Sequence, residues 1–167
     1  MKGTQKMSRP QETHLTRTSG AITARQAFEL GEEELKRQNH ISVRFTFISA
    51  GEHIDQRGLS VHWELFFELP ESSELAIITI EPQGEAWEAI HPALSLSFLR
   101  KPWVVKESGP SLPRQFKDSP EAVDALREQG ADWISGDTHM ILSTRFTDTG
   151  TPVWYTETDE GVLETDF

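Results

Sequence analysis

From Leu59 to Leu69 every second residue is large and apolar: Leu59, Val61, Trp63, Leu65, Phe67 and Leu69 alternate with Ser60, His62, Glu64, Phe66 and Glu68. Period two over that length dictates a β-strand with one buried face, because successive side chains point to opposite sides of the pleat. A strand of this kind cannot stand alone. It needs neighbours to fill its hydrogen bonds and a second layer to cover its apolar side. The chain supplies both. Ile41, Val43, Phe45 and Phe47 alternate with Ser42, Arg44 and Thr46 as a preceding strand, and Leu75 to Glu81 returns after a Pro70-Glu71-Ser72-Ser73 turn. Ahead of them, Thr23 caps a helix running to about Gln38. Its Ala24, Ala27, Phe28, Gly31 and Leu35 form one stripe, while Glu32, Glu33, Lys36 and Arg37 face water. One residue breaks the pattern. Phe66 sits on the wet side of the best strand, so either the connector that follows this unit (residues 82–117) or a partner must lie over it.

The order helix, then meander, recurs. Asp118-Ser119-Pro120-Glu121 reads as a helix start with Ser119 as cap and Pro120 at the first helical position, where its missing N–H costs nothing. Val123, Leu126, Gly130, Trp133 and Ile134 would be its stripe. Met140, Leu142, Thr144 and Phe146 alternate, Asp148-Thr149-Gly150 turns, and Thr151 to Thr158 comes back carrying Trp154. Residues 157–167 read as a short final strand with an acidic face. Gly31 matches Gly130, Leu35 Ile134, Ile41 Met140, and Trp63 Trp154. The expected fold is therefore α+β, two tandem repeats of a helix packed on a small antiparallel β-sheet. Residues 1–20 form a disordered tail and 21–81 the first unit; 82–117 is a Pro-rich connector with short strands near Leu94–Leu99 and Trp103–Val105, and 118–167 the second unit.

Thr23-Ala24-Arg25-Gln26-Ala27-Phe28 with Trp63-Glu64-Leu65, and Asp118-Ser119-Pro120-Glu121-Ala122-Val123 with Val153-Trp154-Tyr155, resemble the PepSY and PepSY-like domains. The resemblance implies a non-catalytic binding or inhibitory module, found often at cell envelopes. It brings no catalytic residues.

Charge narrows the function classes. Sixteen Lys and Arg stand against 27 Asp and Glu, a net −11. That disfavours nucleic acid, whose phosphates call for a basic face, and favours a basic protein partner. With no Cys there is no disulfide frame, thiolate nucleophile or Cys-ligated zinc. No apolar run nears the about 20 residues of a membrane span, and the first twenty residues lack the apolar core of a secretory signal. As written, the chain reads as cytoplasmic, with a cell-envelope location implied by the resemblance.

Motifs for chemistry are sparse. Asp148-Thr149-Gly150 matches the loop of aspartic proteases, but Pro152 and a short remainder leave no room for that fold, so a hairpin turn is expected. Gly-rich phosphate loops are missing and no cofactor is indicated. His40, His53, His62, His91 and His139 are candidate neutral ligands. His62 and Glu64 share the polar face of one strand, with Glu68 beyond; a third ligand from His53 or His91 would be needed, so no metal site is assigned. Trp63, Trp133 and Trp154 read as core. Trp87 and Trp103, with Phe98, form the aromatic set available for recognition. The expected binding residues are thus Trp87, Trp103, Phe98, Phe66, His62 and Glu64. Two functions compete: a non-catalytic protein-binding or inhibitory module, which the sequence favours, and a small-ligand-binding or metal-assisted hydrolytic domain built on the polar sheet face around His62.

Overall fold

Thr23 opens helix α1 (Ala24–Arg37) through a reciprocal box: its hydroxyl accepts the Gln26 N–H at 3.2 Å, and the Gln26 side chain accepts the Thr23 N–H at 2.9 Å. Lys36 and Arg37 in the last turn complement the helix dipole, and Asn39, at φ 68°, turns the chain out of the helix. The expected stripe is buried, with one addition. Glu34 is also buried; its carboxylate accepts hydrogen bonds from Arg37 Nε at 3.1 Å and Gln38 Nε2 at 2.7 Å, which offset its loss of water. Gly31 lets the helix approach closely. A Cβ there would stand 3.2 Å from Ile78 Cδ1.

The computed structural model describes residues 11–15, 20–52, 54–72, 74–82, 92–100, 110–131, 141–158 and 160–167. Their strands are β1 (Gln11–Leu15), β2 (Arg44–Gly51), β3 (Trp63–Leu69), β4 (Glu74–Pro82), β5 (Pro92–Arg100), β6 (Leu142–Phe146), β7 (Pro152–Thr158) and β8 (Gly161–Asp166), with helix α2 (Ser119–Glu128) before β6. The expected pair of small sheets is not what forms. All eight strands join one antiparallel sheet in the order β1-β5-β4-β3-β2-β6-β7-β8. The reason is edge pairing. Two separate meanders would each leave their first strand with a row of bare N–H and C=O groups, and β2 and β6 satisfy one another instead. Ser49 pairs with Ser143 and Gly51 with Leu142. Thr144 reinforces this seam, its hydroxyl accepting the Ile48 N–H at 3.1 Å and donating to the Ile48 carbonyl at 3.0 Å.

Within the stretch 1–20, expected as a disordered tail, residues 11–15 and Gly20 are described, and residues 1–10 and 16–19 lie outside the described residues. Gln11–Leu15 forms β1 and pairs with β5 through backbone hydrogen bonds, covering an edge of the sheet. Leu94–Leu99 lies within β5 as anticipated, whereas Trp103–Val105, Trp133, Ile134 and Met140 lie outside the described residues.

Both helices cover one face of the sheet, and a single core fills the layer between. Phe28, Leu35, Ile48, Trp63, Leu65, Phe67, Ile78, Leu96, Leu126, Leu142 and Trp154 all belong to it. Phe45, Phe116, Phe167 and Trp154 tie the halves together, with Phe116 to Phe167 at 4.8 Å and Phe167 to Trp154 at 5.1 Å between ring centres. The indoles are satisfied: Trp63 Nε1 donates to the Ile22 carbonyl at 3.1 Å and Trp154 Nε1 to that of Lys117 at 2.8 Å.

The two helix N-termini meet. Asp118, rather than Ser119, caps α2, accepting the Ser119 N–H at 2.8 Å, and the same oxygen accepts the Arg25 N–H at 2.8 Å. Ser119 is thereby released to accept the Ala24 N–H at 2.9 Å and donate to the Gly58 carbonyl at 2.6 Å. Gly58 has φ 83°, and a Cβ on it would stand 2.4 Å from Pro120 Cα. Only glycine fits there.

Candidate binding face

The odd positions of β3 point under the helices, so His62, Glu64, Phe66 and Glu68 point to the other side of the sheet. Among the described residues neither helix packs on that side, the bare side of the sheet. Gly31 of α1 sits over Phe67 and Ile78, and the chain entering α2 lies over Trp154, all on the core side.

The bare side has an apolar centre that the sequence concealed. A clean alternation through β2 would send Phe45 and Phe47 inward together. Instead the register shifts between Phe45 and Phe47, so that Phe45 and Ile48 are buried and Phe47 is turned outward opposite Phe66. A bulge of one residue is enough to invert a face. The Phe47 and Phe66 rings stand 4.6 Å apart, and Ile77 of β4 pairs with Phe66 on its far side. All three are partly buried and stand outside the core cluster. Phe66 therefore has an aromatic neighbour within its own sheet, which neither reading of it as covered by another segment or by a partner supplied. Leu75 lies one row along from Ile77, and Phe47 and Ile77 complete a strip that the expected binding set lacked. A bulge carries no reliable sequence mark, but a Phe on the wet face of a strong strand is itself the signal for one.

Polar groups flank the strip. At one end Arg44 and Glu68 form an ion pair, each about a quarter exposed at 23%. At the other, Glu64 lies between Ser49 and Thr79 in the cross-strand rows. His62 Nδ1 lies 3.7 Å from a Glu81 carboxylate oxygen, an ion pair when the imidazole is protonated. Further along the same face, beyond the seam, Arg145 reaches both the Tyr155 ring, at 5.0 Å, and Glu164. The hydrogen bond to the Glu164 carboxylate holds the Arg145 pKa above the ordinary guanidinium value.

Of the expected binding residues, Phe66, His62 and Glu64 are brought together on this face. Phe98 is not among them. It pairs with Ala76 on the core side, its ring 5.3 Å from that of His40. Trp87 and Trp103 lie outside the described residues, as do His53, His91 and His139. Among the described residues no group of three or more His, Cys, Asp or Glu is placed to hold a metal ion. No helix among them is long and apolar enough to cross a membrane. Asp148-Thr149-Gly150 is a hairpin turn, closed by Gly150 N–H to the Thr147 carbonyl at 2.8 Å and Thr147 N–H to that of Thr151 at 2.9 Å. Comparison of the chain with known protein families, with curated proteins and with solved structures gave no significant match.

Proposed function

We propose that the chain is a non-catalytic protein-binding module, inhibitory or immunity-type in character, whose partner docks on the bare face of the sheet. The observation that supports this reading is the Phe47–Phe66–Ile77 strip, partly exposed on the side away from both helices. Apolar surface left in water costs about 25 cal/mol per Å², and aromatic clusters with a polar border are where protein interfaces concentrate their binding energy. The net charge of −11 favours a basic partner and accelerates its approach at low salt. The function implied by the PepSY-like resemblance is of the same kind.

The test compares wild-type protein with Phe66→Asp in capture of partners from source-cell lysate at low and moderate salt. Circular dichroism and thermal melting establish that the variant keeps its fold. The reading expects a stoichiometric basic protein that wild type retains, that rising salt releases and that the folded variant fails to hold. Equal capture by both proteins would overturn it.

A further inference from the structure

On the bare face, β3 and β4 present three carboxylates, and two already have cations: Glu68 is paired with Arg44, and Glu81 with His62. The third, Glu64, is partly buried, and its side chain has neither a hydrogen bond nor an ion pair among the described residues, although it is flanked by Ser49 and Thr79 and adjoins the aromatic strip. Its carboxylate oxygens keep contact with water, so a cation can reach them without displacing a partner among the described residues. Phe66 lies two residues along the same strand on the same side, so Glu64 and Phe66 are neighbours on one face, their Cα atoms about 7 Å apart along the strand. One planar cation on that face can touch both side chains. Its face can lie on the ring while its N–H fork meets the carboxylate, which suits a guanidinium better than the compact, strongly hydrated ammonium of lysine. The chain already shows this combination once. Arg145 lies over Tyr155 while hydrogen-bonding Glu164, and those three residues stand on the same side of the neighbouring strands.

We infer that Glu64 and Phe66 receive an arginine side chain of the partner, whose adjoining apolar residues rest on Phe47 and Ile77. This rests on the proposed docking face and specifies what the face recognises. Glu64 supplies the charge and Phe66 the surface, so the same segment without its guanidinium binds more weakly.

The test uses a short synthetic peptide of alternating leucine and arginine, a citrulline version isosteric but uncharged, and a lysine version. Each is titrated into isotopically labelled full-length protein and followed by amide chemical shifts. The arginine peptide is expected to shift resonances of β2, β3 and β4 around Phe47, Glu64, Phe66 and Thr79. Both citrulline and Glu64→Gln should weaken it by on the order of tenfold, with no further loss when combined, since both remove the same contact. Lysine should fall between arginine and citrulline. Equal binding of the arginine and citrulline peptides, an unaffected Glu64→Gln protein, or shifts confined to the acidic surface of α1 would each overturn the inference. The two proposals fail separately. If Phe66→Asp loses its cellular partner while Glu64→Gln binds the arginine peptide like wild type, the docking face stands and the arginine site falls.

Discussion

The two sides of β3, taken with His62 just before it, are built from one stretch of eight residues and have opposite fates. Trp63, Leu65, Phe67 and Leu69 disappear beneath the helices, none more than 4% exposed. His62, Glu64, Phe66 and Glu68, each one residue earlier in the chain, remain partly in contact with solvent. The first side is occupied entirely in holding the layers together. The second contributes little to the core, and its chemistry is therefore available for recognition. The difference teaches where to look: a large apolar residue on the core side explains itself, while one on the other side requires a reason.

That contrast can be broken by substitution. The largest effect belongs to the core side: Trp63→Ala removes a fully buried indole along with its hydrogen bond to Ile22, and is expected to cost about 3–5 kcal/mol in urea unfolding. A loss below about 1 kcal/mol would mean that the two sides of β3 are not differently packed. Next comes Gly58→Ala, where a positive φ and a Cβ 2.4 Å from Pro120 Cα predict about 1–3 kcal/mol and a loosened contact between the two helix N-termini. Thr144→Val tests the seam. It preserves shape but deprives the buried Ile48 N–H and carbonyl of a hydroxyl, with an expected loss of about 1–2 kcal/mol and faster hydrogen exchange confined to β2 and β6. No change in exchange there would argue against a continuous sheet. The smallest effect belongs to the bare side. Glu64→Gln should alter stability by less than about 0.5 kcal/mol while weakening arginine-peptide binding, which separates recognition from folding at one position.

Much of this was legible from the chain. The alternation from Trp63 to Leu69, the Thr23 box and the Asp148–Gly150 turn are local, and local chemistry determined each; over Leu59–His62 the expected strand does not form, since Ser60 is buried against Ile22 while Leu59 and Val61 stay half buried. What escaped was set by partners distant in sequence. Whether β2 ends its own sheet or continues into β6 depends on Ile48 meeting Thr144, which no periodicity encodes. Ser119 has the chemistry of a cap, yet Asp118 takes that role because Ser119 is needed by Ala24 and Gly58 across the fold. The candidate face was half visible. His62, Glu64 and Phe66 follow from the alternation of β3, whereas Phe47 required a bulge that reverses the direction its own strand pattern assigns it.

The most direct test of the account asks which phenylalanine rings meet solvent. A soluble paramagnetic agent added to the full-length protein should broaden the ring signals of Phe66 and Phe47 strongly, while those of Phe67 and Phe45, their neighbours in sequence, remain sharp. That outcome would establish the bare face as an accessible surface ready for a partner. Equal protection of all four rings would contradict the account, because the strip would then belong to the protein's own interior.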